Sequence, residues 1–191
     1  MIRQGDSIEN PVTGERIVFL ETSAETNGEA VVIECHVKPL GFVAAAHVHP
    51  FQSERFEILE GSVTFKVDGQ ELPTRPGDVV LVPAGRKHQF WNAGEEEARF
   101  RCEIRPALGF ERLIETMFSL AADGRTNRKG MPNPLRLAVI ARAHFDTVRL
   151  PFPPAWMQRV GLLLGAPVGR MVGYRSTYER RERLDSEAVP A

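Results

Sequence analysis

Cysteine is scarce in this chain of 191 residues: only Cys35 and Cys102 occur, too few for a disulfide framework. Each alternates in phase with apolar neighbours, so buried reduced thiols are expected. An excess charge of one sign is also missing, with 24 Lys and Arg against 25 Asp and Glu. No basic stripe is interleaved with aromatics, which excludes nucleic acid as an expected partner. Long hydrophobic runs are absent as well. The most apolar stretch, Val160 to Gly169 between Arg159 and Arg170, reaches about half the ~20 residues of a membrane-spanning helix. The opening residues from Met1 to Ser7 carry no apolar run of the signal-peptide kind. The expectation is a soluble, cytoplasmic protein with no membrane span. Its length suits one good core with a helical extension.

The first half has the period of strands. Val31, Ile33, Cys35 and Val37 alternate with Val32, Glu34, His36 and Lys38; Val63, Phe65 and Val67 alternate with Thr64 and Lys66. Ala98, Phe100, Cys102 and Ile104 alternate with charged residues from Arg99 to Arg105. Short period-two runs punctuated by Gly and Pro indicate an antiparallel sandwich or barrel. Asp68-Gly69 is a tight hairpin signal. Ile17 to Leu20 and Val79 to Val82 are apolar on both faces, so an outer wall there calls for cover by the second half of the chain or by another subunit.

After about Leu108 the period lengthens. Phe110, Leu113, Ile114, Met117, Phe118 and Ala121 form the apolar stripe of a helix closed by Asp123-Gly124. Arg125 to Pro134 is a polar linker. Leu135 to Val148 is expected to be helical on a stripe of Leu135, Val139, Ile140 and Ala143, and a third helix from Ala155 to Leu164 follows the prolines Pro151, Pro153 and Pro154. Gly161, Gly165, Gly169 and Gly173 recur every four residues, a spacing that permits close helix packing, but Pro167 within it predicts a broken helix laid on the barrel. From Tyr178 the chain is charged and expected to fray.

Chemistry concentrates in two clusters. The first is Gly41-x5-His47-x-His49-x4-Glu54-x6-Gly61; the second is Gly77-x5-Pro83-x-Gly85-x2-His88-x3-Asn92. In a strand, His47 and His49 share one face. Imidazole and carboxylate are ligands for borderline divalent metals. His36 and His144 stand alone and are read as ordinary surface or core residues, His36 meeting solvent beside Glu34 and Lys38.

Both clusters match every fixed position of the two-part cupin signature, and the fifteen residues between them resemble the short spacing of small bacterial cupins. The resemblance covers roughly residues 10 to 106. It implies a mainly β fold, the cupin double-stranded β-helix or jelly-roll barrel, usually in a dimer. It implies one divalent transition metal (Fe, Mn, Ni, Cu or Zn) held by His47, His49, Glu54 and His88. The division expected is a barrel over residues 1–106 and a helical extension over 107–191, packed on the barrel or at a homodimer interface.

Strand phase sketches the surroundings of these four residues. Ala45, Phe56, Ile58, Phe90, Asn92, Phe100 and Cys102 are expected to line a largely apolar cup. Arg99 and Arg101 lie on the opposite phase, which argues against anionic phosphosugars, since these call for basic clamps. Glu57 and Glu60 are expected to face solvent, and no general base beyond the ligands is evident. The partner implied is a small apolar or aromatic molecule that chelates through oxygen. A metal-dependent oxygenase or related enzyme, a non-catalytic sensing barrel and a structural, partner-binding barrel are the function classes that remain.

Overall fold

The computed structural model describes residues 2–179; of the tail expected to fray from Tyr178, Tyr178 is instead tied by its backbone N–H to Thr116 Oγ1 at 3.2 Å, and the part beyond 179 lies outside the described residues. Ten strands precede three helices. The strands are β1 (Ser7–Asn10), β2 (Glu15–Glu21), β3 (Val31–Val37), β4 (His47–Val48), β5 (Ser53–Glu60), β6 (Thr64–Val67), β7 (Gln70–Pro73), β8 (Val79–Val82), β9 (Lys87–Trp91) and β10 (Ala98–Arg105). The helices are α1 (Phe110–Ala122), α2 (Pro134–Ala143) and α3 (Ala155–Met171).

The strands form a six-stranded sheet in the order β1-β2-β3-β10-β5-β8 and a four-stranded sheet in the order β4-β9-β6-β7, with antiparallel pairing throughout. Alternation along β3 and β10 places Val31, Ile33, Cys35 and Val37, and Ala98, Phe100, Cys102 and Ile104, in the interior. Both cysteines are buried free thiols. Phe56, Phe65, Phe90 and Phe100 pack ring on ring between the sheets, with neighbouring centroids 4.8–6.1 Å apart, within the range of favourable aromatic contact. The β6–β7 hairpin turns at Asp68 and Gly69, both at positive φ, as a two-residue turn of matching twist requires. Gly61 also has positive φ, and a Cβ there would lie 2.9 Å from the Ala98 Cα; glycine ends β5 because β10 crosses so closely.

α1 follows its predicted limits closely and lies against β1. Glu111 at its start accepts from the backbone N–H of Ser23 at 2.9 Å, tying the helix to the β2–β3 loop. α2 begins as its sequence dictates: the Asn133 side chain accepts from the Arg136 N–H, and Pro134 occupies the first turn. It ends at Ala143, short of the Val148 expected. His144, Phe145 and Thr147 turn inward instead, while Ala143 is exposed and only Val139 and Ile140 of the expected stripe are buried.

The third helix corrects the expectation of a break. α3 runs unbroken through Pro167. The proline cannot donate to the carbonyl four residues back, but Leu163 and Pro167 both face solvent, where water can take that bond. The helix packs on α2 rather than on the barrel wall. A Cβ at Gly169 would sit 2.6 Å from the Leu135 carbonyl oxygen and from Val139 Cγ2, and one at Gly165 would touch Ala138. Two of the four glycines therefore carry the close packing. Among the described residues no helix is long and apolar enough to cross a membrane.

Candidate functional site

Antiparallel pairing of β4 with β9 sets His47 directly opposite His88. His49 follows β4, and Glu54 projects from β5 of the other sheet. One ligand atom from each of the four lies within 4.8 Å of the others. His49, Glu54 and His88 are buried, while His47 is partly open. The His47 ring centroid is 4.9 Å from that of His49 and 4.3 Å from that of His88.

Each imidazole is oriented by its outer nitrogen. His47 Nδ1 lies 2.8 Å from the Ala45 carbonyl oxygen, and His88 Nδ1 lies 3.1 Å from that of Arg86. His49 Nδ1 is 2.7 Å from the Thr147 carbonyl oxygen and 3.0 Å from Gln52 Oε1. Carbonyl oxygens only accept, so all three Nδ1 atoms are donors and each Nε2 is left as a lone pair facing inward. Gln52 is fully buried and is itself held, donating through Nε2 to the carbonyls of Pro106 and Ala107 at 2.8 and 3.0 Å. Outer hydrogen bonds of this kind fix the tautomer and orientation of metal-binding histidines.

Glu54 Oε1 is 3.6 Å from His49 Nε2, and Oε2 is 2.7 Å from His88 Nε2. Yet Glu54 Oε2 and His88 Nε2 are both buried without a well-directed hydrogen bond. With Nδ1 donating to Arg86, His88 turns a lone pair toward a carboxylate oxygen. Either a proton or a cation resolves that opposition. Burial opposes charging of His88, but Glu54 outweighs it and raises the His88 pKa. For Glu54, burial acts upward and the three histidines outweigh it, holding the carboxyl at about 2. His47 is pushed down to about 3, first by burial and then by its histidine neighbours. A neutral imidazole beside an ionised carboxylate is the state a divalent metal needs, and three nitrogens with one oxygen suit a borderline ion. The residues present fit such a metal.

The four residues open onto a cavity of about 490 Å³, a volume typical of small-molecule sites. Ala45, Phe56, Phe90, Phe100 and Cys102 are among the residues that line it. Ile58 and Asn92 are not. Ile58 is packed away in the core, and the Asn92 amide donates to the carbonyls of Val37 and Glu96, bracing the end of β9. Arg99 points outward to Glu34 at 3.3 Å and also pairs with Glu60, so the phase of β10 is as read from the sequence. Glu57 is paired outside with Arg55 at 2.8 Å.

His36 corrects an expectation. Rather than meeting solvent, it is held between Arg16, Glu34 and Glu97 at 2.9–3.1 Å. His144 also departs from an ordinary satisfied histidine: it caps α2, is buried, and leaves Nδ1 without a hydrogen bond.

The helices complete the cavity. Phe110, Leu113 and Met117 of α1, Ile140 of α2, and Met157 and Leu162 of α3 contribute to its lining. Sequence reasoning set the helical extension on the barrel without naming these side chains, and it missed two buried polar residues in the wall, Asn10 and Glu15. Glu15 carried a signal, since it is in phase with Ile17 and Phe19 on β2. Gln52 and the Thr147 carbonyl carried none.

Comparison with known proteins finds likenesses over part of the chain. Residues 33–104 match the family model described as Cupin domain. The polyketide synthase CurC of Streptomyces cyaneus is 33% identical over 60 residues, covering 31% of this chain and 39% of that protein. Quercetin 2,3-dioxygenase of Bacillus subtilis is 32% identical over 88 residues, covering 46% of this chain and 25% of that one. The chain thus spans 39% and 25% of the lengths of these two relatives. Among solved structures, a predicted oxalate decarboxylase from Thermotoga maritima superposes with a TM-score of 0.49 at 23% identity, covering 56% of this chain and 98% of that chain.

Proposed function

Starting from the cupin domain that this chain contains, we propose that His47, His49, Glu54 and His88 bind one divalent transition metal, Fe, Mn, Ni, Cu or Zn. In this reading the metal serves a metal-dependent oxygenase or a related enzyme acting on a small apolar or aromatic molecule that chelates through oxygen. The observation that carries the reading is the convergence of three Nε2 lone pairs on the Glu54 carboxylate, with every Nδ1 already engaged as a donor.

A metal held there would act as a Lewis acid or an oxygen-activating centre. The protein's own contribution is to aim three Nε2 atoms at one point through their Nδ1 hydrogen bonds, keep one carboxylate ionised and surround the site with phenylalanine and helix side chains. Arg149 lines the cavity, but its guanidinium bonds to the Phe145 carbonyl and lies over the Phe145 ring at 4.2 Å. No pair of free guanidinium groups is thus offered to a phosphate, which supports an uncharged ligand. Likeness to a quercetin dioxygenase supports the oxygenase reading.

Metal analysis of protein purified without a histidine tag tests the first step; a redox-active metal in stoichiometric amount is expected. Anaerobic reconstitution with Fe(II), followed by oxygen uptake with catechols, diketones and flavonols, tests the second. Absence of turnover with every metal would leave a ligand-binding barrel and sink the enzyme.

We also propose a homodimer and a division into a barrel over 1–106 and a helical extension. Val79 and Leu81 on the outer face of β8, and Trp156, Leu163, Leu164 and Met171 on α3, are exposed apolar side chains that a second subunit would cover. A monomer in sedimentation at micromolar concentration contradicts the dimer.

A further inference from the structure

The cavity has a second polar end. Glu15 opens β2 on the inward phase, opposite Asn10 of β1 and Val37 of β3. Glu54 on β5 pairs with Ile104 of β10, which in turn pairs with Val31 of β3. The two acids therefore belong to opposite ends of the sheet, separated by the strand from Val31 to Val37, about 20 Å of chain. Both line the same cavity, and the wall between them is apolar, including Ile17, Ile33, Phe100 and Met117.

Glu15 is a built feature of that end. It is 7% exposed, and Thr13 Oγ1 donates to its Oε2 at 2.7 Å. Among the described residues this is the one hydrogen bond its carboxyl receives, so Oε1 remains available in a cavity otherwise poor in polar atoms. Among the described residues no cation pairs with it. An acid buried this deeply with one hydrogen bond and no paired cation is costly to maintain, which a group contributed by a bound molecule would offset. Burial raises its pKa to about 7 against the effect of the Thr13 bond, so both protonation states occur near neutrality. A hydroxyl, which both donates and accepts, can pair with either state.

We infer that Glu15, positioned by Thr13, anchors the far end of the bound ligand, and that this ligand is elongated and mostly apolar, with a chelating oxygen at one end and a hydroxyl at the other. The chelating end rests on the metal reading of the four-residue cluster; the hydroxyl end does not.

The test uses full-length, metal-free protein titrated calorimetrically with 4-hydroxybiphenyl and 4-methylbiphenyl, which differ only by hydroxyl for methyl. Wild type is expected to bind the hydroxyl compound at least about tenfold tighter, as for a hydrogen bond to a charged or polarised buried partner. Glu15→Leu erases or reverses the preference while 4-methylbiphenyl still binds. Glu15→Gln keeps part of it and serves if the leucine variant does not fold. Equal binding by wild type, no binding of either compound, or an undiminished preference in the variants overturns the inference. Co(II) titration of the same proteins reads the other end separately: loss of Co(II) binding in wild type sinks the metal reading and leaves the biphenyl comparison intact.

Discussion

His49 Nδ1 lies 2.7 Å from the carbonyl oxygen of Thr147, a residue 98 positions later in the chain. The contact joins a candidate metal ligand to the turn between α2 and α3. The short β4 strand is held by the same segment, since Val48 and Arg149 exchange backbone hydrogen bonds at 2.9 Å. The helical half of the chain therefore helps to set the geometry of a site that the barrel half supplies.

Gln52→Leu tests that support. The substitution removes one acceptor from His49 and the donor to the Pro106 carbonyl, while the Ala107 carbonyl keeps the Phe110 N–H at 3.2 Å. Loss of a second-layer partner of this kind typically costs ~10- to 100-fold in metal affinity, and the hydrogen bonds that Gln52 no longer makes cost about 0.5–1.5 kcal/mol each. Calorimetric titration with Co(II) and urea unfolding measure the two effects.

Glu54→Gln and His88→Ala are expected to abolish metal-dependent stabilisation. A metal at a hundredfold excess over its dissociation constant stabilises the folded state by about 2.7 kcal/mol. Thermal unfolding of wild type with and without Zn(II) should show that gain, and the variants should not. An equal gain in wild type and variants would place the metal elsewhere.

Glu15 makes a signed prediction about pH. Burial raises its carboxyl from 4.5 to about 7 in the folded chain. Between those values the folded state keeps a proton that the unfolded state has released, so stability falls as pH rises through that window. Above it the penalty is complete, on the order of 3 kcal/mol for a shift of this size. Glu15→Gln cannot ionise. Its stability relative to wild type should rise from pH 5 to pH 8, read as the difference between parallel urea titrations, which cancels the other titrating groups. A flat difference would mean that Glu15 is not desolvated.

Two glycines of α3 should respond oppositely to alanine. At Gly169 the new Cβ meets Leu135 and Val139 at 2.6 Å, whereas at Gly161 nothing lies within 4 Å. Gly169→Ala is expected to destabilise by about 1–3 kcal/mol through overpacking. Gly161→Ala is expected to stabilise by up to ~1 kcal/mol through helix propensity. Melting temperatures of the two variants decide the matter.

Much of the site was legible because strand phase is a local property. Once His47, His49, Glu54 and His88 fall on strands or at their ends, their facing follows from a period of two, and so does that of Phe56, Phe90, Phe100 and Cys102. The same rule placed Ile58 and Asn92 inward, which is true of both, but an inward residue lines a cavity only if no neighbour fills the space before it. Ile58 is covered by the core, and Asn92 is drawn off by backbone carbonyls. The break expected at Pro167 failed for a related reason. Local propensity disfavours proline inside a helix, but packing of Gly165 and Gly169 on α2 and solvent at Leu163 override it.

The sequence by itself determined an antiparallel β fold, its two motif clusters, the inward faces of its strands and the approximate limits of α1, because spacing and alternation act over a few residues; the barrel followed from the cupin resemblance of the clusters. Tertiary structure alone decided that Thr147 and Gln52 orient His49, that three helices complete the cavity wall, and that Glu15 faces Glu54 from the far end. These relations join residues tens of positions apart. They depend on which elements pack together, and no local period in the chain records that.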